Sequence, residues 1–501
     1  MVFSEKHPHP LNQLLTGQAI ETQPVHLMSW LEEWLSQYSP NLNNSQKSAL
    51  ALPFQYKTSM IQGPPGTGKT YLLAWILIAL IMQAHAAKTP IRIGVSALTH
   101  QAIDTVLQKV IMIVNQYFHG IFPGTCVKWG QNNEPTKNNT DENNHKENSN
   151  DLNLEFSDDA HDILKRPWLI LGATGYGFYN LFKSRDKGFP MILDWVVFDE
   201  ASQVLLPNAL LTLIYSRGNY LFLGDVNQLP PIVSGNYAEP EQNNNPEDNN
   251  HKSLKSLVLN QSILTNFSNI YPESCQETLN ITYRMNKEIC SFPGKTWYQN
   301  KLYPSSSNAD DRLVLKNLNN NKILESDNKY DKIINPEKPI VLVLTDHKGC
   351  SQESVIEADI MAGLAYRLMI RYGISPNRIA LLSPHRAQNN SIIKRLDKKL
   401  LKEKKAIDQI PLVDTIERAQ GTERDIIIFG ITSSDPDHIL SNFLNNPNRL
   451  NVAMTRARTK LIIIGSNAFF SVIPDSETML EKNSYFKKLM LYCQKQNSVF
   501  Y

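Results

Sequence analysis

Short apolar runs alternate along most of the chain with longer segments of helical periodicity, the pattern of parallel strands joined by helices. In the first half, strands are expected over residues 58–62, 91–97, 168–173, 195–198 and 220–223. In the second half they are expected over 340–344, 379–383, 426–431 and 461–464. Helical patterns fall over 70–82, 100–116, 354–371 and 387–404. This predicts an α/β fold of two domains, each a mainly parallel sheet flanked by helices and joined near 260–280.

Two stretches break this texture. Residues 131–150 hold eight asparagines and no aliphatic residue, and 236–250 carry Asn243, Asn244, Asn245, Asn249 and Asn250. Such tracts bury too little apolar area to offset the entropy of ordering, so both are expected to be Asn-rich surface insertions, near 131–160 and 236–252. Residues 317–338 are also polar and are expected as loop. The chain then divides into a lead-in over 1–45, a first domain over 46–270 and a second over 271–501.

Composition narrows the class. With 501 residues, 42% of them hydrophobic, the chain can build several large cores, which excludes a disordered protein or a disulfide-stapled miniprotein. Fifty Lys+Arg against 48 Asp+Glu leave a formal charge of +2, so a polyanion would have to be met by local patches. The five cysteines, at 126, 275, 290, 350 and 493, form no CxxC pair, so no zinc or redox motif is legible. The first ten residues lack a signal-peptide core, and the longest apolar run, 71–82, is too short to span a bilayer. A soluble, intracellular (cytoplasmic) protein with no membrane partner is expected.

Residues Gly63, Pro64, Pro65, Gly66, Thr67, Gly68, Lys69 and Thr70 fit GxxxxGK[ST], between a predicted strand and a predicted apolar helix. Glycines there let successive backbone N–H groups curl around phosphate oxygens, and the helix N-terminus adds positive potential. Lys69 would reach the β and γ phosphates of ATP, and the Thr70 hydroxyl would ligate Mg²⁺. A phosphate loop needs an acidic partner on a neighbouring strand, and Asp199-Glu200 follow the apolar run ending at Phe198. Asp199 suits Mg²⁺, Glu200 the attacking water. After another strand, Gly224-Asp225-Val226-Asn227-Gln228 offers Gln228 to sense a γ-phosphate or position water, a plain turn being the alternative. Upstream, the Gln46 amide could pair with the adenine edge, or simply start a helix.

At this point the ordered motifs resemble a superfamily 1 helicase, in the branch holding the nonsense-mediated-decay RNA helicase and nuclease-fused DNA helicases. The similarity runs from about Leu42 to Ser466 through segments 96–104, 172–174, 281–285, 383–388, 413–423 and 450–458. It implies two RecA-like domains, ATP and Mg²⁺ as cofactors, and movement on single-stranded DNA or RNA, 5′→3′, driven by opening and closing of the two lobes. Arg284 and Arg456 would be the cationic fingers, since guanidinium forks match phosphate oxygens. Glu423 would touch the ribose, and Thr99, Thr174, Arg386 and Thr415 would contact the strand.

The pattern also departs from the family. Thr282 stands where the family usually has Gln, only about forty residues precede Gln46, and no nuclease block is legible before the motor. A separately encoded nuclease or other protein partner is therefore entertained. Three other readings compete. An ATPase remodelling proteins or nucleoprotein complexes would not need the 281–285 and 420–423 blocks. A catalytically dead scaffold would not need Lys69, Asp199, Glu200, Arg284 and Arg456. The guanine-type motif at Asn328–Asp331 follows a polar segment and reads as coincidence.

Overall fold

The computed structural model describes residues 9–130, 151–182, 189–233, 257–315, 329–402 and 410–501. The asparagine-rich tracts 131–150 and 236–250 lie outside the described residues. The chain forms two compact units. The first takes in Met1–Pro64, Gly68–Val226 and Pro230–Leu279. The second takes in Asn280–Tyr501 together with Pro65–Thr67 and Asn227–Leu229.

The first unit holds strands β1 (Thr58–Gln62), β2 (Ile91–Ser96), β3 (Thr125–Trp129), β4 (Leu154–Ser157), β5 (Trp168–Gly172), β6 (Leu193–Phe198), β7 (Ser216–Gly224) and β8 (Gln276–Thr278). They form one sheet in the order β4-β3-β5-β2-β6-β7-β1-β8, every pair parallel. Period-two alternation sends Ile61, Ile93, Val95, Val197 and Leu223 into one core and Met60, Leu171, Val196, Phe198 and Phe222 into another, so helices cover both faces. Because all strands run the same way, their C-terminal ends share one edge, where ligands of open α/β sheets bind.

Helix Lys69–Ala86 shows why position matters more than composition. Among the described residues it alone has the length and apolar content to cross a membrane, yet Leu72 through Ile81 are all buried in this unit. A helix apolar on all sides needs cover on all sides. Helices His26–Tyr38, Asn44–Gln55 and His100–Tyr117 supply it, with Trp34 edge-on to Trp75 at 5.8 Å and stacked on Phe118 at 6.0 Å. The expected lead-in thus contributes core: Leu11, Leu14, Leu31 and Trp34 are buried.

The second unit holds β9 (Ile281–Thr282), β10 (Tyr303–Pro304), β11 (Ile340–Thr345), β12 (Ile379–Ser383), β13 (Leu412–Thr415), β14 (Arg424–Gly430), β15 (Ala457–Ser466) and β16 (Val499–Phe500). Its main sheet runs β13-β12-β14-β15-β11-β16, again all parallel, while β9 and β10 pair separately. Leu342, Leu382, Ile427 and Ile463 face one core, and Val341, Leu381, Ile428 and Ile462 the other.

Two expectations are corrected. Residues 151–160, assigned to an insertion, include β4, which pairs with β3 through Cys126↔Leu154 and Lys128↔Phe156. The loop expected over 317–338 contains helix Lys329–Ile334, anchored by buried Ile333 and Ile334. Asp331 on that helix is tied to Arg367 and accepts a hydrogen bond from the Tyr372 hydroxyl at 2.8 Å, so it serves packing rather than a base.

Candidate nucleotide and strand sites

The phosphate loop leaves β1 and enters helix Lys69–Ala86 through two left-handed glycines, Gly66 at φ 75° and Gly68 at φ 78°. That conformation is inexpensive only without a Cβ. A Cβ on Gly66 would also stand 2.5 Å from the Thr282 hydroxyl and the Arg284 Cβ, and one on Gly68 2.9 Å from Gln46 Nε2. Lys69 folds its ammonium back onto the Gly63 carbonyl at 2.7 Å, an interaction that an arriving phosphate would replace. Thr70 follows it in the first turn, partly exposed.

Gln46 is 2% exposed and belongs to a reciprocal cap. Its Oε1 accepts the Asn43 N–H at 3.0 Å, and Asn43 Oδ1 accepts the Gln46 N–H at 3.0 Å. The cap fixes the amide with its nitrogen turned toward Gly68.

β6 delivers Asp199 and Glu200 to the same sheet edge as the phosphate loop. The Asp199 N–H donates to the Ser96 carbonyl at 3.0 Å, extending the β2–β6 ladder, and Glu200 turns the chain at φ 50°. Asp199 is 4% exposed. Burial, reinforced by the Glu200 charge, pushes its carboxyl up to about 7 against the opposing pull of Lys69 and the Glu200 N–H. A carboxylate so raised, with a hydroxyl available at Thr70, is a hard-oxygen donor set suited to a magnesium ion. Glu200 is partly exposed and accepts from Gln203 Nε2 at 3.3 Å.

Asp225, fully buried at the end of β7, lay inside a motif from which sequence reasoning took only Gln228. Its Oδ1 accepts from Gln62 Nε2 at 2.8 Å, and its N–H donates to Ser202 Oγ at 3.3 Å. The Gln62 side chain thereby links the ends of β1 and β7, and the Gly63 N–H joins them again at the Gly224 carbonyl, 2.8 Å away. The legible signal was a carboxylate one residue beyond an apolar strand, the same placement that marked Asp199.

In the second unit the predicted cations gather around one carboxylate. Arg284 Nε donates to Glu423 at 2.5 Å and its Nη1 to the Thr455 carbonyl at 3.0 Å; Arg458 meets the other Glu423 oxygen at 2.8 Å. Burial pushes the Glu423 carboxyl up, but Arg284, Arg458 and Arg456 together hold it below the ordinary carboxylate value. Arg456 is 2% exposed, with Nε on the Val452 carbonyl at 3.1 Å and Nη1 on the Thr422 carbonyl at 3.3 Å. Thr282 is fully buried, donates to the Pro65 carbonyl at 2.9 Å and accepts the Arg284 N–H at 3.3 Å. A hydroxyl therefore occupies the position where the family usually carries an amide. Gln228, 3% exposed, accepts from Gln420 Nε2 at 3.4 Å.

The four strand-contact candidates divide between the units. Thr99 caps helix His100–Tyr117, accepting the Ala102 N–H at 3.2 Å, and Thr174 accepts the Gly177 N–H at 3.2 Å. Each hydroxyl is bonded there as an acceptor and can still donate its O–H. β2 and β5 are neighbours, so both threonines, with exposed Leu98 and Tyr176, lie on one edge of the first sheet. Arg386 is exposed at the start of helix Arg386–Lys402, beyond β12. Thr415, at the end of β13, is 8% exposed and offers less surface than the other three.

A parallel sheet carrying a phosphate loop and an acidic strand end, followed by a second parallel α/β unit with clustered arginines, defines the two-domain P-loop ATPases. Two family models, each described as an AAA domain, match residues 46–234 and 259–468. The chain is 25% identical over 521 residues to the DNA polymerase alpha-associated DNA helicase A of Saccharomyces cerevisiae, covering 92% of this chain and 69% of that protein. It is 27% identical over 457 residues to the DNA replication ATP-dependent helicase/nuclease DNA2 of Mus musculus, covering 88% of this chain and 38% of that one. Among solved structures, the DUF1998 helicase MrfA bound to DNA aligns with 10% identity and a TM-score of 0.46, over 93% of this chain and 54% of that chain. The two domain models and the helicase relatives, matched at 25% and 27% identity, support an ATP-hydrolysing helicase of superfamily 1 type with two RecA-like domains.

Proposed function

We propose that this chain is a motor that hydrolyses ATP to move along single-stranded nucleic acid, 5′→3′. The observation that carries the reading is the presence of two clusters suited to phosphate chemistry: the loop Gly63–Thr70 with Asp199 and Glu200, and Arg284 with Arg456 around Glu423. In this reading the loop N–H groups and Lys69 hold the β and γ phosphates, and Thr70 and Asp199 hold a magnesium ion that offsets their charge. Glu200 polarises the attacking water, Gln228 positions it, and Gln46 faces the adenine. Arg284 and Arg456 stabilise charge on the transferring phosphoryl group, and Glu423 is released to the ribose. Hydrolysis then opens and closes the two domains, alternating the grip of Thr99, Thr174, Arg386 and Thr415 on the strand.

Single-stranded DNA is the first substrate to test, because both curated relatives are named as DNA helicases. A nuclease partner is a natural second question, because the mouse relative is a helicase/nuclease and extends well beyond the aligned region. The test is ATP turnover with and without strand in the wild type and in Lys69→Ala, Glu200→Gln and Arg456→Ala. Strand should stimulate the wild type, and all three variants should lose turnover while Glu200→Gln still binds ATP. Turnover that ignores strand but responds to a protein would replace the motor with a remodelling ATPase.

A further inference from the structure

Helix Arg386–Lys402 carries a concentration of charge that the nucleotide chemistry does not use. Its seventeen residues include six basic side chains and one acid, Asp397, in a chain whose formal net charge is only +2. The remaining residues are therefore net negative, and this helix is a local positive feature on a nearly neutral protein. Buried Ile392, Leu396 and Leu400 fix one face to the core, which turns Lys394 and Lys398 outward and leaves Arg395 and Lys399 half-buried beside Asp359. Among the described residues only Arg395 of these four has an ion pair, with Asp359 at 3.2 Å. Two like-charged pairs, Lys394/Lys398 and Arg395/Lys399, stand at i, i+4, a spacing that costs helix stability unless an anion intervenes.

The ridge is continuous with a strand-contact candidate. Arg386, Asn390, Lys394 and Lys398 follow one another at i, i+4, so the positive line starts at the sheet edge and runs about 18 Å back along the helix. We propose that Lys394, Lys398 and Lys399 form an auxiliary phosphate-binding ridge that engages the nucleic-acid backbone beyond the segment gripped at the sheet edges. The inference rests on the motor reading and adds to it a second, hydrolysis-independent contact for long strands. The chemistry is that of point-charge lysines on phosphates, which is insensitive to base sequence and strongly dependent on salt.

The experiment measures binding of the full chain to single-stranded DNA of about 8 and about 40 nucleotides across a salt series, in the wild type and in the Lys394→Gln/Lys398→Gln/Lys399→Gln variant. Each lost phosphate contact removes about 0.7 from the slope of log affinity against log salt, so the triple variant should lose about 2 on the long strand. It should keep the wild-type slope on the short strand and the wild-type basal ATP turnover, and an Arg triple variant should restore the slope. An unchanged slope on the long strand overturns the ridge while the motor reading stands, including in the case where the ridge instead captures an acidic protein. Equal losses on both strands, or loss of basal turnover, also overturn it. A wild-type chain that binds neither strand overturns both readings, which separates the two failures.

Discussion

Replacing Asp199 with Asn tests whether this carboxylate is held in the charged form at a cost until a cation arrives. The carboxyl is pushed from its ordinary 3.8 to about 7, first by burial and then by Glu200. A folded value above the unfolded one means that the ionised group opposes folding. The penalty is fully present above pH 7 and fades as pH falls through 7 toward 3.8. About three pH units at 1.36 kcal/mol each give a penalty of about 4 kcal/mol at pH 8, falling to about 1.7 kcal/mol at pH 5. Asn keeps the acceptor for the Glu200 N–H and removes the charge. Nucleotide-free Asp199→Asn should therefore melt about 5–10 °C above the wild type at pH 8, the gap narrowing steadily toward pH 5. The same variant should lose magnesium-dependent ATP binding, and in the wild type that binding should weaken as pH is lowered through 7. Thermal melts in magnesium-free buffer from pH 5 to 8.5 decide the matter. A variant that melts lower than the wild type at pH 8, or a gap that does not change with pH, would mean that Asp199 is not ionised at a cost to folding.

Other perturbations follow from single contacts. Thr282→Val keeps the shape but leaves the Pro65 carbonyl and the Arg284 N–H without a buried partner, so it should cost about 1–3 kcal/mol of stability by urea unfolding and raise the KM for ATP. Gly66→Ala should abolish binding of a fluorescent ATP analogue while far-ultraviolet circular dichroism stays native, because its Cβ would enter the 2.5 Å space beside Thr282 and Arg284. Asp225→Ala should lower the melting temperature by releasing the Gln62 link between β1 and β7, an effect of about 1–3 kcal/mol. Glu423→Gln removes the charge that holds Arg284 and Arg458, and should lower turnover more than it lowers ATP affinity, as single-turnover kinetics would show.

Much of the fold was legible because the central strands are short, continuously apolar and covered on both faces. β1, β2, β5 and β12 lie within a residue or so of the positions read from the pattern. The strands at or next to the sheet edges were not legible because they lack that continuous apolar cover. β3 and β4 have partly exposed positions and lie on either side of the 131–150 tract, while β8 and β16 span only three and two residues. Helix His26–Tyr38 was missed because its apolar stripe pays off only against Trp75 and Phe118, which are remote in sequence. In the candidate site, Lys69, Asp199 and Arg284 were legible as candidates because their chemistry follows from residue type and spacing. Gln62 and Arg458 were not, because their roles come from partners delivered by other segments of the chain. Gln46 was legible as an amide near the loop, but the reciprocal cap with Asn43 that fixes its orientation is a property of the folded helix start.

The most direct test of the central claim is steady-state ATP hydrolysis by the purified chain, with magnesium, titrated with single-stranded DNA and, separately, single-stranded RNA. At least one strand should raise turnover saturably, and Arg456→Ala should abolish the stimulated rate while retaining ATP binding. Turnover indifferent to both strands, or an Arg456→Ala variant hydrolysing at the wild-type rate, would contradict that claim.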